Sequence, residues 1–106
     1  MKNKVILYDI KKDNGDSFAL RAFIFPDGRL SFEGQDFCET ALKWYGDEEY
    51  EYFYIFDIEN TNKLKVVLKS DDLLESLVNF FNGEMRDEEF RKLCENNDIK
   101  YDIHVM

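Results

Sequence analysis

A chain of 106 residues with 16% aromatic content is long enough to bury roughly two thirds of its unfolded surface, so its core needs no disulfide or metal staple. Its formal charge of −9 argues against a DNA, RNA or anionic-membrane binder, because such a field repels phosphate. No apolar run of about 18 residues is present, and Met1-Lys2-Asn3-Lys4 leads into a short strand-like run, not a signal-peptide core; a single cytoplasmic domain, 1–106, is expected.

In chain order, Val5 to Ile10 reads as a strand and Lys11 to Asp16 as a polar turn. The group Asp13-Asn14-Gly15-Asp16 lacks the alternating oxygen ligands and closing glutamate of a calcium loop and is read as a turn. Phe18 to Phe25 forms a second strand and Pro26-Asp27-Gly28-Arg29 a hairpin turn. The third strand, Arg29 to Gly34, directs Leu30 and Phe32 inward and Arg29, Ser31 and Glu33 outward. These three strands make a meander. Asp36 to Tyr45 has the apolar spacing of a short helix, pinned to the sheet by Trp44 and ended by Gly46.

From Trp44 to Asp57 an acidic turn runs into the most aromatic strand of the chain. Alternation places Phe53 and Ile55 on one face and Tyr50, Tyr52, Tyr54 and Phe56 on the other, which suits a central strand with both faces covered. Such a stripe is by default core, although the phenolic oxygens still need partners. Asn60 or Thr61 can cap a helix carrying Leu64, Val67 and Leu68; the run Leu64 to Leu68 also suits a strand, and helix is preferred. Asp71 or Asp72 starts a further helix, in which Leu73, Leu77 and Phe80 stack with Leu74, Val78 and Phe81 before Gly83. Asp87 is read as the cap of the last helix, which buries Phe90, Leu93 and Cys94. The closing run is a strand, with Ile99, Tyr101, Ile103 and Val105 in the core and Lys100, Asp102 and His104 in solvent. The expected fold is α+β: a mainly antiparallel sheet of about five strands, with three to four helices packed mostly on one face.

Catalytic patterns are missing from the sequence. His104 is the single histidine and is read as outward on its strand, a surface residue, so the sequence points to no Ser/His/Asp or Cys/His arrangement. The five glycines are isolated, each with a turn or cap to explain it, so no phosphate-binding loop is implied. Cys38 and Cys94 stand far apart among apolar neighbours and read as reduced, buried packing residues. Glu48 and Glu49 read as solvated carboxylates rather than an acid–base pair. Ligation of a hard cation by Asp36, Asp47, Glu49 and Glu51 is chemically permissible but unsupported by any spacing motif. A non-enzyme without metal or cofactor is expected.

Charge is distributed unevenly. From Asp36 to Glu59 eight carboxylates face Lys43 alone, whereas residues 1 to 34 are nearly neutral. Such a cluster steers a basic partner toward the protein, and tyrosine adds stiff contact area beside it. The candidate partner-binding residues are therefore Asp36, Asp47, Glu48, Glu49, Tyr50, Glu51 and Tyr52. The plainer account is that the carboxylates serve solubility.

The run Glu33-Gly34-Gln35-Asp36, followed by Trp44-Tyr45-Gly46-Asp47 and Tyr50-Glu51-Tyr52, resembles a pattern in small acidic bacterial proteins of unknown function; the segment Phe90 to Tyr101 is similar to their C-termini. The likeness covers most of the chain and carries no defined chemistry. It implies a bacterial or phage setting, where small acidic proteins include immunity proteins and inhibitors of nucleases or defence complexes; that link is one of size and charge. Two expectations follow. One is a non-enzymatic acidic protein that occupies a basic surface of a partner such as a toxin or nucleic-acid-binding enzyme. The other is a small ligand-binding domain or enzyme with a pocket between helices and sheet.

Overall fold

Period-two runs of β-branched and aromatic residues build one antiparallel sheet in a computed structural model that describes residues 4–13, 15–37, 49–69 and 71–105, with only the backbone of Glu49 and Tyr50. Its elements are β1 (Lys4–Lys11), β2 (Ser17–Ile24), β3 (Leu30–Phe37), β4 (Glu49–Phe56), α1 (Ile58–Val67), α2 (Leu73–Phe81), α3 (Asp87–Asn96) and β5 (Asp102–Val105). The five strands lie in chain order, so β4 is interior, between β3 and β5. Among the described residues the fold is α+β with an open five-stranded sheet and three helices. Trp44, Gly46, Cys38 and most of the helix expected over 36–45 lie outside the described residues; its first two positions, Asp36 and Phe37, instead finish β3.

The register decides which side chains enter the core. Leu30, Phe32 and Gly34 of β3 stand opposite Phe56, Tyr54 and Tyr52 of β4 and share one face by alternation, which Asp36 of β3 continues. Leu20, Ala22, Leu30, Phe32, Tyr52 and Phe56 are buried there, and Phe32 meets the rings of Phe81 on α2 and Phe90 on α3 at 6.1 and 5.0 Å. In β1 a register shift between Ile6 and Tyr8 inserts Leu7 as a bulge. Simple alternation would set Tyr8 on the same face as Ile6. The bulge pairs Tyr8 with the inward Leu20, so Leu7 and Tyr8 are both buried while Ile6 is exposed.

Several expectations need correction. Ser31 is fully buried, because Phe23 and Ile55, its neighbours across the two ladders, flank a small side chain. The helix expected from Asn60 or Thr61 begins at Ile58 and is capped by Asp57. Asn60 and Thr61 lie inside its first turns and tie it to the rest of the fold: Asn60 Oδ1 accepts from Lys100 N at 2.8 Å, and Thr61 Oγ1 accepts from Leu30 N at 3.1 Å. α2 follows the sequence closely, with Asp72 as cap and Asn82 and Gly83 in left-handed conformation at its end. The final strand is shorter than the alternation implies. Only Asp102–Val105 pair with β4, and Ile103 and Val105 are 61% and 53% exposed; the core contribution ends with Ile99 and Tyr101.

Candidate functional site

Two features of the sheet bring polar groups into the interior. The first is Gly34, which is no turn or cap but sits in the middle of β3, opposite Tyr52. A Cβ at this position would fall within the Tyr52 ring, so the absent side chain is what lets that ring lie across β3. The second is the β1 bulge, which delivers Tyr8 to the same face. The Tyr8 and Tyr52 phenols stand close enough to act on each other electrostatically. Tyr8 donates to Asp87 Oδ2 at 3.0 Å.

Asp87 is the first residue of α3 rather than its cap. The cap position belongs to Arg86, whose side chain makes no capping bond, and the Asp87 carboxylate turns toward the sheet. Its Oδ1 atom is buried and has no hydrogen-bond partner among the described residues. Burial pushes the Asp87 carboxyl above the ordinary range, and the Tyr8 bond opposes that shift without cancelling it. Asp36, on the inward face of β3, is pushed up to about 6, first by burial and then by the negative charge of Asp87. Burial also raises the phenols of Tyr8, Tyr52, Tyr54 and Tyr101. All four stay neutral hydrogen-bonding groups at physiological pH.

Beside this cluster a cavity of about 400 Å³ opens between sheet and helices. Phe32, Tyr54, Phe81, Phe90 and Tyr101 supply its aromatic wall, Leu20 adds an aliphatic contact, and Asp87, Glu88 and Arg91 supply its charge. The rings pack on one another: Tyr54 and Phe56 lie 5.2 and 4.9 Å from Tyr101, and Phe81 lies 5.6 Å from Phe90. A concave space that joins an aromatic wall to a few convergent polar groups and perturbed carboxyls has the composition of a small-molecule site.

The residues singled out from sequence are distributed differently. Asp47 and Glu48 lie outside the described residues, and Glu49 and Tyr50 are described only as β4 backbone. Asp36 and Tyr52 face the interior, Tyr52 being 7% exposed, and Asp36 is held in the acid–tyrosine cluster. Glu51 has the opposite parity on β4 and pairs with Gln35. Tyr8, Gly34 and Asp87 were not identified as site residues by sequence reasoning. Only Gly34 carried a signal, a glycine inside a strand pattern, which marks a close approach. Cys94 is buried and free, with its thiol pushed up to about 12. Among the described residues no group of three or more His, Cys, Asp or Glu side chains is placed to hold a metal. No helix of the described residues is long and apolar enough to cross a membrane. Compared with protein families, curated proteins and solved structures, the chain matches none.

Proposed function

We propose that this chain is a non-enzymatic acidic binding protein that occupies a basic surface of a partner protein, as an immunity protein or an inhibitor of a nuclease or defence complex would, in the cytoplasm of a bacterial or phage-infected cell. The observation that carries this is the crowding of eight carboxylates against Lys43 alone between Asp36 and Glu59. The contact surface is the acidic run Asp47, Glu48, Glu49 and Glu51, which in sequence leads into β4, an interior strand of the sheet. Helices mostly on one face leave the other face available, a division supported by the ring contacts of Phe81 and Phe90 with Phe32.

The test is the quadruple variant Asp47→Ser, Glu48→Gln, Glu49→Gln, Glu51→Gln against the partner recovered by co-purification from the native host. Stability should change by less than about 1 kcal/mol, since solvated carboxylates contribute little. Association should slow and its salt dependence flatten. Unchanged affinity would leave the carboxylates with solubility as their only role.

A second reading, a ligand-binding domain with a pocket between helices and sheet, is favoured by one specific observation. The cavity of about 400 Å³ holds a carboxylate whose buried Oδ1 lacks a donor among the described residues.

A further inference from the structure

We infer that the cavity between the sheet and α3 binds an organic monoammonium group carried on an apolar body, with Asp87 Oδ1 accepting from the ammonium and the surrounding rings enclosing the rest. This rests on the pocket reading and deepens it by naming the ligand class.

Three observations converge on that chemistry. Asp87 Oδ1 is buried with no donor among the described residues, a state that costs free energy until an N–H reaches it; an ammonium supplies the donor and the countercharge in one contact. The wall beside it presents Phe32, Tyr54, Phe90 and Tyr101, whose ring faces attract a cation and accept an apolar body. The charge around the cavity is negative in balance, with Asp87 and Glu88 lining it and Asp36 coupled to Asp87 from β3, against Arg91.

Other ligand classes fit less well. An anion at the start of α3 would meet Asp87, Glu88 and Glu89 in the first turn. A hard metal ion needs about six oxygen ligands, and among the described residues no group of three or more His, Cys, Asp or Glu side chains is placed to supply them. Arg91, one turn along α3 from Asp87, also lines the space and disfavours a second positive charge, so a monocation is selected over a polyamine. The ammonium can belong to a free amine or to a lysine side chain of a partner protein.

The experiment is an amide chemical-shift titration of the full chain with 2-phenylethylamine, its neutral counterpart 2-phenylethanol, and N-acetyl-lysine amide as the lysine mimic. The expected result is saturable shifts at Tyr8 and the first turn of α3 with an amine. The better of the two amines, which identifies the source, should bind at least about tenfold more tightly than the alcohol. Asp87→Asn should weaken the amine about tenfold and leave the alcohol unchanged. Should Asp87→Asn unfold the chain, the exposed Arg91→Met replaces it as the test and should tighten amine binding severalfold. Equal affinity for amine and alcohol, or no response of amine binding to the substitution that folds, overturns the ammonium assignment while leaving a pocket in place. Saturation by none of the three compounds overturns the pocket reading as well.

Discussion

Asp57 and Asp87 both stand at the start of a helix, and their carboxylates meet opposite fates. Asp57 is solvent-exposed and accepts from Asn60 N and Asn60 Nδ2 at 2.8 and 2.9 Å; those bonds hold its carboxyl below the ordinary range. Asp87 gives its helix no side-chain cap, buries one oxygen without a partner among the described residues, and is pushed above that range. The first serves the helix. The second is withheld from the helix and held against Tyr8 of the sheet, at a cost in local stability. What separates them is the surface each helix start faces: the end of β4 in one case, a tyrosine-lined interior in the other.

The largest expected effect comes from breaking the interior arrangement at its base. Gly34→Val improves strand propensity, yet its side chain would have to occupy the space of the Tyr52 ring. Chemical denaturation should show a loss of about 3 kcal/mol, and the amide signals of the Asp57 cap should stay in place. An intermediate effect is expected on the capping side. Thr61 Oγ1 donates to Asp57 O at 2.7 Å and accepts from Leu30 N, so Thr61→Val strands a buried backbone donor and should cost about 2 kcal/mol in the same measurement.

The smallest effect sharpens the contrast in pH. Asp36 titrates near 6 in the folded chain against 3.8 in the reference state, so the folded protein binds this proton more tightly. Its contribution to stability is therefore full below about pH 4 and lost as pH rises through 6. Asp36→Asn should raise stability by about 1 kcal/mol above pH 7, allowing for the screening of a half-exposed group. Melting curves of variant and wild type should converge near pH 4. A gain that persists at acidic pH would show that the asparagine acts through packing instead of charge.

Sequence patterning reached most of the sheet because alternation is a local signal. Phe18 to Ile24, Leu30 to Gly34 and the tyrosine strand were legible as strands, though not the burial of Ser31 or the role of Gly34, and α2 was legible between Asp72 and Gly83. The site was much less legible. Tyr8 enters the interior only because a bulge shifts the register, and the run Ile6-Leu7-Tyr8 does not announce where an extra residue sits. Asp87 has the sequence signature of a cap, and only tertiary packing diverts its carboxylate to Tyr8. Ile103 and Val105 alternate as core residues do, but nothing local shows that their strand is the last in the sheet.

That last strand bears on how the sheet comes apart. Tyr52 to Ile55 of β4 pair with only four residues of β5, and all three described helices lie between the two strands in the chain. Bringing together ends that far apart costs roughly 3 kcal/mol of chain entropy beyond the constant for any loop. Four exposed residues return little of it, so β5 is held mainly through Ile99, which is buried, and Tyr101, whose ring packs on Tyr54 and Phe56. β1 to β4 are joined by neighbouring connections and bear no such burden. Local opening therefore begins at the C-terminal margin, and the first groups it frees are Tyr54 and Tyr101, two of the rings that wall the cavity.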